Sequence, residues 1–132
     1  MPDDIRIPDD LVDVFREPAL GHLSYHNPKG QIVTFPMWVT HDGEHVVTSS
    51  RVGSAKGKAL RVRPEVSVSV VSTKNPWRWL SVSGRVSDIQ PDEGLVLIDE
   101  LSRRYTGQDY QARTPREKFL IMVDRVSKSS GG

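Results

Sequence analysis

The chain has 132 residues, 36% of them apolar and 27% charged, with a formal net charge of +1 and no cysteine. That length suits one domain with a real core, and the near-neutral balance argues against a dedicated nucleic-acid binder. The missing cysteines exclude disulfides, thiolate nucleophiles and thiolate metal sites.

No apolar run approaches the roughly 18 residues of a membrane helix. The acidic start (Asp3, Asp4, Asp9, Asp10) is unlike a signal peptide, so a cytoplasmic protein without a membrane partner is expected. Residues 1–126 are expected to form the single domain, and 127–132 a flexible polar tail.

In chain order, Asp9 is a candidate N-cap for a short helix with Leu11, Val14 and Phe15 as its apolar stripe, stopped by Pro18. Leu20 to His26 reads as a strand, followed by an Asn-Pro-Lys-Gly turn at 27–30. Gln31 to His41 reads as one strand with Val33, Phe35, Met37 and Val39 on one face. Asp42-Gly43 is a strong hairpin signal that returns Glu44 to Ser50 antiparallel. Ser54 caps a predicted helix over Ala55 to Val62, and Pro64 ends it. Glu65 to Thr73 alternates valine with serine, as a strand buried on one face does. After a turn at 74–76, Trp77 to Ile89 reads as a long strand, with Gly84 marking a bulge or close backbone approach. Pro91 to Tyr105 reads as a helix with Pro91 in its first turn, and Phe119 to Val126 as the last strand. Six strands in hairpin-length succession, with two or three helices, predict a mainly β protein built as an antiparallel barrel.

The chemistry concentrates between His45 and Pro64. This stretch holds no Asp or Glu but carries Arg51, Lys56, Lys58, Arg61 and Arg63, among hydroxyls at Thr48, Ser49, Ser50 and Ser54. A strand end, a glycine-containing turn and a helix N-terminus present free N–H groups and a favourable dipole to an anion, and hydroxyls and ammoniums complete the cage. Lys56 and Lys58 are too close in sequence to share one helical face, so one is expected to reach the anion and the other solvent or a partner. An ordinary solvated basic helix is the competing reading. It is weakened because surface helices usually mix charge signs.

Pro36-Met37-Trp38 lies within a strand pattern, which places it at an edge or bulge, suited to a subunit contact or a flat ligand. Trp77 and Trp79 share one face of the long strand, where aromatics either pack or stack on a ring. The four histidines show no metal-ligand spacing, and no Gly-x-Ser-x-Gly elbow supports a hydrolase. Arg113 and Arg116 are cations able to reach a cofactor tail in a dimer.

The order of these features resembles the pyridoxamine 5′-phosphate oxidase-like split β-barrel superfamily. It carries Pro36-Met37-Trp38, Asp42-Gly43, Thr48-Ser49-Ser50 before Ser54-Ala55-Lys56, then Leu60, Pro64 and Trp79-Leu-Ser-Val-Ser-Gly84. Within it, the chain is most similar to the small branch that uses the deazaflavin coenzyme F420. The resemblance implies a six-stranded antiparallel split barrel of the FMN-binding type, and a homodimer with two cofactor sites at its interface. By position it implies that Ser50, Ser54, Lys56 and Lys58 form the phosphate loop, with Arg51 and Ala55 among the cofactor-binding residues beside them. Pro36, Met37, Trp38 and Val39 would lie along the ring system, and Trp77 and Trp79 where the partner subunit closes the pocket. Arg61 and Arg63 would serve the acidic cofactor tail.

The function so implied is hydride transfer between reduced F420 and an electron-poor organic acceptor such as an activated C=C bond. FMN is the alternative cofactor. A non-catalytic cofactor-binding dimer and an oligonucleotide-binding barrel are alternatives of other classes. No residue is singled out as catalytic; a proton is available from solvent, Tyr25 or a histidine.

Overall fold

The computed structural model describes residues 7, 8 and 11–129. The helix cap expected at Asp9 lies outside them; the first turn is a 3₁₀ helix, Val12–Arg16, with Val14 and Phe15 buried. Seven strands make one antiparallel sheet: β1 Gly21–His26, β2 Ile32–Met37, β3 Val39–His41, β4 Val46–Arg51, β5 Glu65–Val71, β6 Trp79–Pro91 and β7 Arg116–Lys128. Their order is β2-β1-β5-β6-β7-β4-β3, curled into a half-barrel around Leu23, Leu80, Phe119, Ile121 and the valines of β5. Burying each of these large side chains stabilises the fold by about 1.5–3 kcal/mol.

The expected strand over 31–41 is two strands, which is why there are seven and not six. β2 pairs with β1 alone, and β3 pairs with β4 alone, Val39 opposite Thr48. The chain changes partner at Trp38, two residues after Pro36, which has no N–H to offer a second neighbour. The two free edges of the sheet are thus consecutive in sequence. Phe35 sits opposite buried Leu23 but at the open side of the half-barrel, so it is 51% exposed and leans on Tyr25.

The β3–β4 hairpin forms where Asp42-Gly43 requires it: Asp42 Oδ1 accepts from the Glu44 and His45 amides, and Gly43 holds φ +101°. β6 starts at Trp79, not Trp77, because the Asn75 side chain accepts the Trp77 amide and keeps Trp77 in the turn. Gly84 sits at a register shift between β6 and β7, where a Cβ would lie 1.8 Å from the Met122 carbonyl oxygen. β7 runs through Lys128, and the Ser129 amide donates to Trp79 O, so strand pairing continues beyond residue 126.

Two helices complete the fold, α1 Ala55–Val62 and α2 Val96–Thr106. Pro91 is the last residue of β6 rather than the first helical turn. The α2 amides of Leu97 and Ile98 donate instead to the buried Asp92 carboxylate, across a kink where Gly94 and Leu95 take left-handed φ. Glu17, also buried, accepts from Ser72 Oγ, the Thr73 amide and Thr73 Oγ1, tying the first 3₁₀ turn to the loop after β5. Burial alone would push its pKa up, but these donors hold it below the usual glutamate value.

Candidate functional site

The turn from β4 into α1 is built by two serines. Ser54 caps α1, its hydroxyl accepting the Gly57 amide at 3.0 Å, and Ser50 Oγ donates to Ser54 Oγ at 2.7 Å. Both are buried, with Gly53 between the two serines at φ +83°. Arg51 and Ala55 are exposed on the rim of this turn.

Lys56 and Lys58 diverge. Lys58 is exposed, beside Arg63 and Asn27. Lys56 turns under β4, its Nζ 3.5 Å from the Ser49 carbonyl and 4.0 Å from Met37 Sδ. It forms no ion pair among the described residues. Burial, reinforced by the nearby Arg116 guanidinium, pushes its ammonium from 10.5 down to about 8.

The remaining cations are engaged elsewhere. Arg61 forms a forked ion pair with Glu117 of β7, its Nη atoms 3.2 and 2.5 Å from the two carboxylate oxygens. The acid-free character of residues 45–64 is therefore a local feature of sequence, and the folded helix does have an acidic neighbour. Arg63 donates to the Asn27 carbonyl, and Arg113 pairs with Asp99.

Met37 meets Lys56 from the other side, and Trp38 follows it in the chain. Trp38 stacks on Tyr105 of α2 at 5.3 Å and 11°, and meets Tyr110 edge-on at 6.0 Å. Its carbonyl accepts from Thr48 Oγ1, while the amide of the buried Val39 donates to the Tyr105 hydroxyl oxygen. The same tyrosine hydroxyl donates to the Ala19 carbonyl. Pro36 is exposed at the sheet edge.

Tyr110 is a neighbour that the sequence does not single out, whereas Ser49 stands among the expected cage hydroxyls and Arg116 among the cations able to reach a cofactor tail. Arg116 Nε donates to Ser49 Oγ at 2.9 Å, and its guanidinium lies 5.1 Å over the Tyr110 ring. The signal is the β4–β7 register, Arg51 opposite Arg116, which no local pattern reveals. With Met37, Trp38 and Ile98 these residues line a concavity of about 260 Å³.

The structure does not bring Trp77 and Trp79 to this place. They are 67% and 37% exposed, and Trp79 begins β6, whereas the other end of β6, at Pro91, pairs with Glu117 beside the site. Tyr25 is buried on β1, its hydroxyl pushed up by burial, and does not line the concavity.

The family profile described as pyridoxamine 5′-phosphate oxidase matches residues 7–129. The chain belongs to the pyridoxamine 5′-phosphate oxidase family. That family has flavin- and F420-binding, oxidoreductase-like members. Among solved structures, an F420 reductase is 27% identical, with 92% of this chain and 98% of that one covered and a TM-score of 0.81. A conserved hypothetical protein of Mycobacterium tuberculosis is 21% identical (99% and 89% covered, TM-score 0.68). A Listeria innocua protein described as a putative pyridoxamine 5′-phosphate oxidase is 18% identical (91% and 95% covered, TM-score 0.69). The latter two show the shared fold. No curated protein matches the chain. Among the described residues, no helix of this family member is long and apolar enough to cross a membrane.

Proposed function

We propose that the protein is an F420-dependent oxidoreductase acting as a homodimer on a small, electron-poor organic acceptor. The observation that carries this reading is Lys56: an ammonium held under the sheet at the start of α1, without a carboxylate partner among the described residues. A buried cation so placed is costly unless an anion completes it, and a cofactor phosphate is such an anion. The similarity to an F420 reductase over nearly both whole chains favours the deazaflavin over FMN.

In this reading Lys56 makes the charged contact to phosphate, with Arg51, Ala55 and Lys58 around the α1 N-terminus. Ser50 and Ser54 shape the turn, since their hydroxyls already bond each other. The strand segment Pro36 to Val39 gives the ring system a flat backbone edge. Trp77 and Trp79, remote within one chain, would come from the partner subunit. Arg61 is left to its ion pair with Glu117. When bound, the reduced cofactor supplies a hydride, and a proton from solvent completes reduction of the acceptor.

Fluorescence titration with oxidised F420 and with FMN tests this: F420 should bind more tightly, and equal or absent binding of both would sink the reading. Lys56→Met should weaken F420 binding by about 1.5–3 kcal/mol, the range for charge-assisted hydrogen bonds. An unchanged affinity would return Lys56 to a structural role.

A further inference from the structure

Arg116 differs from the other arginines near it. Arg61 and Arg113 each present both Nη atoms to a carboxylate, and Arg103 presents one. Arg116 is fixed by other parts of its guanidinium: Nε to Ser49, and the flat face to Tyr110. Its two terminal Nη nitrogens have no partner among the described residues. The side chain is thus already oriented, with its two-pronged donor edge still open.

What it borders has a matching chemistry. The concavity of about 260 Å³ is walled by Met37, Trp38, Ile98 and Leu101, and no Asp or Glu lines it. It falls just below the roughly 300–1,000 Å³ of pockets for drug-sized ligands, so it suits a molecule of one or two rings. Trp38 is held in place by Tyr105 and Tyr110, which makes the wall flat and rigid.

We infer that this pocket binds a flat aromatic or conjugated carboxylate, with the Arg116 Nη pair taking both carboxylate oxygens and Trp38 and Met37 covering the ring. A planar guanidinium matches a carboxylate with two parallel hydrogen bonds, which a lysine at the same place does not. Identifying this ligand as the substrate rests on the proposed function; the carboxylate site itself does not.

The probes are benzoate and cinnamate against their neutral amides, titrated into the full chain by calorimetry or protein-observed NMR. Each carboxylate should bind wild-type protein at least about tenfold more tightly than its amide, and Arg116→Gln should bring the two within about twofold. Arg116→Lys keeps the charge but not the fork, and should lose at least about threefold of the preference. It decides the matter if Arg116→Gln fails to fold. Equal binding of acid and amide to wild type, binding of neither, or a preference that survives in the variants overturns the inference.

Parallel F420 titrations separate the two claims. Arg116→Gln should leave F420 affinity within about threefold of wild type, whereas Lys56→Met should not. If Arg116→Gln abolishes F420 binding and wild type shows no acid preference, the fork belongs to the cofactor phosphate and this inference falls alone. An Arg116-dependent acid preference in a protein that binds neither F420 nor FMN removes the cofactor reading and keeps this one.

Discussion

At the scale of single residues, Lys56 makes a prediction in pH. Its ammonium titrates at about 8 in the folded chain against 10.5 unfolded, so the charged form is disfavoured by folding. That cost is complete below about pH 8 and disappears as pH rises toward 10.5, where both states are neutral. Lys56→Met should therefore stabilise the free protein at pH 7 by about 1–3 kcal/mol, discounted for partial exposure. Urea midpoints of the two proteins should converge near pH 10. A bound phosphate reverses the preference, so cofactor affinity should weaken above about pH 8. Binding near that pH should take up a proton, measured by calorimetry in buffers of different ionisation enthalpy. Arg61 gives the contrast: its pair with Glu117 is half-exposed, so Arg61→Ala should cost no more than about 1 kcal/mol and leave cofactor affinity unchanged.

At the scale of elements, two joints carry more than their size suggests. Gly84→Ala places a methyl group on the Met122 carbonyl, which is backbone and has nowhere to move, so the β6–β7 pairing must open. A loss of about 3 kcal/mol or more is expected, read as a fall in melting temperature or in soluble yield. Glu17→Ala leaves the Ser72 and Thr73 donors without their acceptor and should cost about 1–3 kcal/mol. What sequence made legible follows the reach of each interaction. The α1 boundaries and the Asp42-Gly43 hairpin are written in caps and turns a few residues long. The division at Trp38 was hidden because an alternating pattern is the same whichever neighbour a strand pairs with. The capping of α2 by Asp92 was obscured because Pro91 imitates a helix start. The Lys56 location was readable from its spacing to Ser54, but its Arg116 neighbour depends on a pairing across most of the chain.

At the scale of the molecule, one chain leaves Phe35, Ile32, Trp77 and Trp79 open to water, and the tryptophans stand at the far end of β6 from Lys56. If a second copy covers them, sedimentation equilibrium should return twice the chain mass, and Trp79→Ser should shift the balance toward monomer. That variant should also lower cofactor affinity while leaving Lys56 untouched, whereas a monomeric wild-type protein would remove the tryptophans from the site. The placement of β7 between β6 and β4 has a further consequence, in time. β1 with β2 and β5 with β6 are neighbours that form early, but β4 has only the three-residue β3 beside it until residues 116–121 arrive. Closing so long a loop is slow, so refolding is expected in the millisecond-to-second range of high-contact-order sheets. Trp38 and Lys56 then reach their positions in the last step, and a nascent chain completes the concavity beside them only after residues 116–121 have been made.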